Sequence, residues 1–101
     1  MEEAVQLDLN APEFLDNFLT LSSKEMSQVA RAIHRLQKMT WEQVYASSGL
    51  NWEAVRTQAI FGSSRTLHSI RLSQKYRALV TREGSKLRFV SLHLDHDSAY
   101  S

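Results

Sequence analysis

A chain of 101 residues with 43% hydrophobic and 23% charged side chains is long enough for one core and too short for two. Its scarce Gly and Pro argue against a disordered or fibrous chain, and the absence of cysteine excludes disulfide frameworks, thiolate metal sites and thiol nucleophiles. The net charge of +1 hides a polarity: residues 1–21 carry Glu2, Glu3, Asp8, Glu13 and Asp16 with no Lys or Arg, whereas residues 56–88 carry eight Lys and Arg against Glu83 alone. Such asymmetry predicts a localised basic surface and an anionic partner.

In chain order, residues 4–9 alternate Val5, Leu7 and Leu9 with polar neighbours, which predicts a half-buried strand. Asn10 is placed to cap a following helix, with Pro12 in its first turn and Phe14, Leu15, Phe18 and Leu19 as its apolar stripe. Ser22 and Glu25 have capping-box spacing and open a second helix. Its apolar positions Met26, Val29, Ala30, Ile33 and Leu36 keep the helical period, and Arg31, His34, Arg35 and Lys38 fall outside. Thr40 with Gln43 is a further cap, for a short helix ending near 47–49. Trp52, Val55, Ile60 and Phe61 suggest another short helix and an apolar anchor before a turn at Gly62-Ser63-Ser64.

From residue 66 the period becomes two. Segments 67–72, 76–82 and 86–92 read as strands separated by short polar turns. A two-residue loop at Glu83-Gly84 pairs Val80 with Leu87, and a three-residue turn at 73–75 pairs Leu72 with Tyr76 and sets Arg71 opposite Arg77. One face then collects Ile70, Leu72, Tyr76, Ala78, Val80, Leu87 and Phe89 as a core surface. The other collects Ser69, Arg71, Arg77, Leu79, Thr81, Lys86, Arg88 and Val90. A one-residue slip would bury arginines. The expected architecture is α+β: one domain over residues 1–101, with an N-terminal strand and a helical hairpin packed on a small antiparallel sheet.

Directly opposed like charges disfavour a strand pair by up to about 1 kcal/mol, so a face carrying Arg71, Arg77, Lys86 and Arg88 is easiest to understand with a polyanion against it. Arginine binds phosphates in bidentate fashion and stabilises charge growing on a phosphoryl oxygen. His96 can exchange a proton near neutral pH, and Tyr100 can stack on a base or position a phosphate. Together these parts suffice for metal-free RNA cleavage by the RNA's own 2′-hydroxyl. Plainer readings stand beside them. His93 and His96 with Asp95 and Asp97 are a conceivable metal cluster but more simply a solvated segment, so no metal is expected. His68 alternates with Ile70 and reads as a hydrogen-bonded structural histidine. Trp41 and Trp52 read as packing or partner-contact residues, and Tyr100 has closure of the core as its rival role.

Strand, two helices, sheet and titratable C-terminal segment, in that order, resemble the RelE/ParE superfamily of bacterial type II toxin–antitoxin toxins. The specific part is Ser-Ile-Arg-Leu-Ser-Gln-Lys-Tyr-Arg-Ala-Leu-Val (69–80), similar to a family segment in which Tyr-Arg opens the second strand, and His-Asp-Ser-Ala-Tyr (96–100), similar to a motif with His or Arg four residues before an aromatic. Leu94, Asp95 and Asp97 stand where some members are arginine-rich. With one residue after Tyr100, no C-terminal helix is expected.

The resemblance implies a metal-independent mRNA endoribonuclease acting on translated mRNA at the ribosome. In it Arg77 contacts the scissile phosphate, Arg71 assists, His96 acts as acid or base and Tyr100 positions the substrate. Lys75, Arg82, Lys86 and Arg88 are expected to bind RNA phosphates. A cognate antitoxin is the implied protein partner, with no cofactor or small molecule. The alternative is a ParE-like, non-nucleolytic toxin that poisons DNA gyrase. The acidic start lacks a signal-peptide pattern and no apolar run reaches the roughly 20 residues of a membrane helix, so a cytoplasmic protein without membrane contact is expected.

Overall fold

The computed structural model describes residues 3–55 and 66–94. Among them, β1 (Gln6–Asp8) is followed by three helices, α1 (Pro12–Leu19), α2 (Ser23–Leu36) and α3 (Trp41–Ala46), and then by β2 (Glu53–Val55), β3 (Leu67–Arg71), β4 (Tyr76–Glu83) and β5 (Lys86–Leu94). The strands form one sheet in the order β1-β5-β4-β3-β2. The α+β architecture is the expected one. The sheet, however, is mixed, because β1 runs parallel to β5 with Leu7 opposite Leu87 and Asp8 opposite Arg88. Among the described residues no helix is long and apolar enough to cross a membrane.

Local chemistry explains where the helices begin. Ser22 Oγ accepts from the Glu25 N–H at 3.2 Å while Glu25 Oε1 accepts from the Ser22 N–H, so both halves of the capping box are present. Thr40 and Gln43 repeat the device at α3. α1 departs from expectation. Its N-cap is Ala11, not Asn10, and has no side-chain capping bond; the Asn10 N–H is instead donated to Asp8 Oδ1 at 3.0 Å. On α2 the buried residues are Val29, Ala32 and Leu36, and Ala30 faces solvent. No helix forms at residues 50–55. Asn51, with φ of 51°, turns the chain, and Glu53–Val55 joins the edge of β3 as a strand. Ile60, Phe61 and the turn at 62–64 lie outside the described residues.

The β3–β4 register is the expected one, with Arg71 opposite Arg77 and Ile70 opposite Ala78. The β4–β5 loop is Gly84-Ser85 rather than Glu83-Gly84, so Val80 pairs with Phe89 and not Leu87. Gly84 takes φ of 63° at the first loop position, where a type II′ turn requires glycine. The change moves the pairing by two residues, which keeps every side chain on its expected face. A bulge then interrupts β5. Val80 pairs with Phe89 but Leu79 with Ser91, leaving Val90 as the extra residue and resetting the alternation beyond it.

The core lies between the helices and the sheet. Phe14 of α1 and Phe89 of β5 are fully enclosed, with ring centroids 5.0 Å apart in a tilted pair. Val29, Leu36, Val44, Ile70, Val80 and Leu87 complete its centre. Leu92 is buried by the reset after the bulge, and its N–H is held by Asn17 Oδ1 at 3.0 Å.

Candidate functional site

The register of the last three strands sets Arg71, Arg77 and His93 directly across from one another on the sheet face away from the helices. His93 owes its place to the bulge. Strict alternation along β5 would have turned it into the core, which is why sequence periodicity missed it. Its Nε2 lies 2.7 Å from Ser91 Oγ. Arg71 is exposed at the end of β3, whereas Arg77 is only 6% exposed. An Arg77 Nη2 hydrogen is donated to Ser69 Oγ at 2.7 Å, and the guanidinium reaches Glu53 of β2 at 3.6 Å. The edge strand thus brings a carboxylate beside Arg77, which offsets part of its repulsion with the opposed Arg71.

The other cations do not join this row. Arg88 and Lys86 share its face but sit at the far end of β5, about 16 and 23 Å of strand away from His93, respectively. Arg88 is bracketed by carboxylates, with Nε 3.2 Å from Asp8 Oδ2 and Nη2 3.2 Å from Glu83 Oε1. Asp8 is held below its usual carboxylate range, first by the Asn10 N–H and then by Arg88. Lys75, in the β3–β4 turn, pairs with Glu25 of α2 at 2.6 Å. That contact is the main cause lowering the Glu25 pKa and raising that of Lys75. Arg82 belongs to the opposite side of the sheet: its guanidinium lies 4.1 Å over the Trp41 ring and bonds Tyr45 Oη. The face is therefore not the bare cationic surface expected from the pattern. Ser69, Leu79, Thr81 and Ser91 on it are also buried. His96, Tyr100, Asp95 and Asp97 lie outside the described residues. Among the described residues no cluster of three metal-ligating side chains occurs.

Trp41, Tyr45 and Trp52 pack edge to face or tilted at 5.3–5.6 Å, and His68 stacks on Trp52 at 4.4 Å. The expected hydrogen-bonded His68 is not found: its Nδ1 is buried with no hydrogen-bond partner among the described residues. Stacking, not hydrogen bonding, holds the ring. Burial lowers the His68 pKa from its usual 6.5. The folded state then binds this proton less readily than the unfolded chain, so His68 withdraws stability as pH falls below about 6.5. Urea midpoints at pH 7.5 and 5.5 are expected to differ more in the wild type than in His68→Phe. Equal differences would remove His68 from the pH response.

No protein-family model and no curated protein matches the sequence. Solved structures do match in shape. A chain of the archaeal RelE–RelB complex from Pyrococcus horikoshii OT3 superposes with a TM-score of 0.63 at 11% identity, over 94% of this chain and 99% of that one. The YoeB dimer of Staphylococcus aureus gives a TM-score of 0.48 at 12% identity over 87% of this chain and 93% of that one. A copper-bound mutant toxin from Helicobacter pylori gives 0.47 at 9% identity over 93% and 98%. The first of these establishes the fold as RelE-like, as the strand–turn–strand segment and element order led one to expect.

Proposed function

We propose that the chain is the toxin of a type II toxin–antitoxin system and acts as a metal-independent endoribonuclease on translated mRNA at the ribosome. The observation that carries the reading is the Arg71–Arg77–His93 row, set on the sheet of a RelE-like fold and followed at once in sequence by His96 and Tyr100. In this reading the cleaved RNA supplies its own nucleophile. Its 2′-hydroxyl gives a proton to a base, its oxygen attacks the adjacent phosphorus, and the bond from phosphorus to the 5′-oxygen breaks. The leaving oxygen takes up a proton, and the products are a 2′,3′-cyclic phosphate and a 5′-hydroxyl. His96 serves one of the two proton transfers. Arg77, held by Ser69, and Arg71 at the strand end face the charge that grows on the phosphoryl oxygens. Tyr100 positions the substrate.

Among the described residues Lys86 and Arg71 are exposed cations for RNA phosphates on this face, whereas Arg88 is committed to Asp8 and Glu83. Lys75 and Arg82 would have to leave Glu25 and the Trp41–Tyr45 pair to bind RNA, so they contribute less. A cognate antitoxin in the same cytoplasm completes the system.

Primer extension on an mRNA in a purified translation system, wild type beside His96→Ala, tests the reading. Cuts that need the translating ribosome and vanish in the variant are expected. Intact mRNA with a protein that is toxic in cells would redirect the reading to a non-nucleolytic target such as DNA gyrase.

A further inference from the structure

Cleavage by the RNA's own 2′-hydroxyl needs two proton transfers, one from the attacking hydroxyl and one to the departing 5′-oxygen. His96 serves only one of them, so the other falls to a second group beside the same phosphate. Neighbouring strands lie about 5 Å apart, which puts Arg71 of β3 on one side of Arg77 and His93 of β5 on the other. Arginine carries charge but moves no proton near neutral pH. Glu53 is engaged from β2 by the Arg77 guanidinium at 3.6 Å and by the Asn51 amide at 3.4 Å. Histidine does move protons in this range, and among the described residues His93 is the one in this row.

The surroundings of His93 suit that task. The bulge at Val90 turns both Ser91 and His93 onto the face of the arginines. Ser91 is only 2% exposed, and its Oγ lies 2.7 Å from His93 Nε2, so the half-buried ring is tied to a buried anchor with Nδ1 left for a substrate atom. A hydroxyl both donates and accepts. It can therefore pair with Nε2 whether or not that nitrogen carries a proton, and the ring keeps its anchor in either state. A carbonyl or carboxylate in the place of Ser91 would pair with the protonated nitrogen alone.

We infer that His93 makes the second proton transfer, through Nδ1, with Ser91 Oγ holding the ring. One histidine gains the 2′-hydroxyl proton as the new oxygen–phosphorus bond forms. The other gives a proton to the 5′-oxygen as its bond to phosphorus breaks, and exchange with water restores both. This role rests on the nuclease reading and adds to it a catalytic residue on β5.

The plainer role for His93 is to satisfy the buried Ser91 hydroxyl, and His93→Gln separates the two. Its amide can still pair with Ser91 but exchanges no proton. In the purified translation system, rates being taken per folded molecule, His93→Gln is expected to cut mRNA about a hundred- to ten-thousand-fold more slowly than wild type. Ser91→Ala keeps the imidazole and loses only its anchor, so a fall of about tenfold or less is expected. A second mRNA carries sulfur in place of the 5′-bridging oxygen at the linkage the wild type cuts. Sulfur departs without a proton, so the variant lacking the acid is expected to recover on it and the variant lacking the base is not. His93→Gln and His96→Ala should thus respond in opposite ways. Three outcomes overturn the role of His93 alone: wild-type cleavage in His93→Gln, a greater loss in Ser91→Ala than in His93→Gln, or like responses of the two histidine variants to sulfur. Unmodified mRNA left intact by the wild type would instead overturn the nuclease reading, and the role of His93 with it.

Discussion

Phe89→Ala is expected to cost about 3–5 kcal/mol of folding stability, against a total of roughly 5–15 kcal/mol for a domain of this kind. Phe89 is wholly enclosed and meets the equally buried Phe14 ring at 5.0 Å, so truncation opens a cavity in the contact that seats α1 on β5. That contact also organises the neighbouring strand end, because Asn17 of the same helix holds the Leu92 N–H just beyond the bulge. Phe89→Leu keeps most of the volume and is expected to cost about 1.5 kcal/mol or somewhat more. Urea denaturation followed by circular dichroism reads both values. A loss under about 1 kcal/mol for the alanine variant would mean that α1 does not rest on β5 in solution.

The parts of the fold that were legible in the sequence are those written in local chemistry. Ser22 with Glu25 and Thr40 with Gln43 announce helix starts through spacing alone, and both boxes are closed in the structure. Alternation over residues 67–89 told which face each strand residue takes, and the two-residue change of the β4–β5 register left those faces intact, until the bulge at Val90 reset them. Alternation says nothing about direction or neighbour. Hence the parallel seat of β1 beside β5 could not be read from Val5, Leu7 and Leu9. Glu53–Val55 is too short to show a period, and its strand depends on the turn at Asn51 and on a vacant edge of β3.

The candidate site was half legible for the same reason. Arg71 opposite Arg77 followed from turn length and face. What surrounds them came from elements whose placement is non-local: Glu53 from the edge strand, and Asp8 from the parallel strand, which turns Arg88 from a lone cation into a bracketed one. Arg82 was drawn away by the ring of Trp41, a contact spanning sequence positions far apart. His93 entered through a bulge that leaves no pattern in the residues themselves.

The burial of Arg77 changes what its removal should do. Arg77→Met preserves much of the side-chain volume while removing the charge and the donor to Ser69 Oγ, which is itself 1% exposed. An orphaned buried hydroxyl costs about 1–3 kcal/mol, so the variant is expected to lose stability as well as activity. Loss of toxicity alone therefore cannot separate chemistry from folding. Cleavage in the purified translation system, measured per folded molecule, can. If Arg77 stabilises charge on the phosphoryl group, Arg77→Met is expected to cut about a hundred- to a thousand-fold more slowly after that correction. Ser69→Ala removes the same hydrogen bond but leaves the guanidinium beside Glu53, so it should match the stability loss with a fall in cleavage of about tenfold or less. Wild-type cleavage per folded molecule in Arg77→Met would make Arg77 a strut that ties β2, β3 and β4 together through Glu53 and Ser69. The anionic substrate would then fall to Arg71, exposed at the strand end, with His93 completing the row across the sheet.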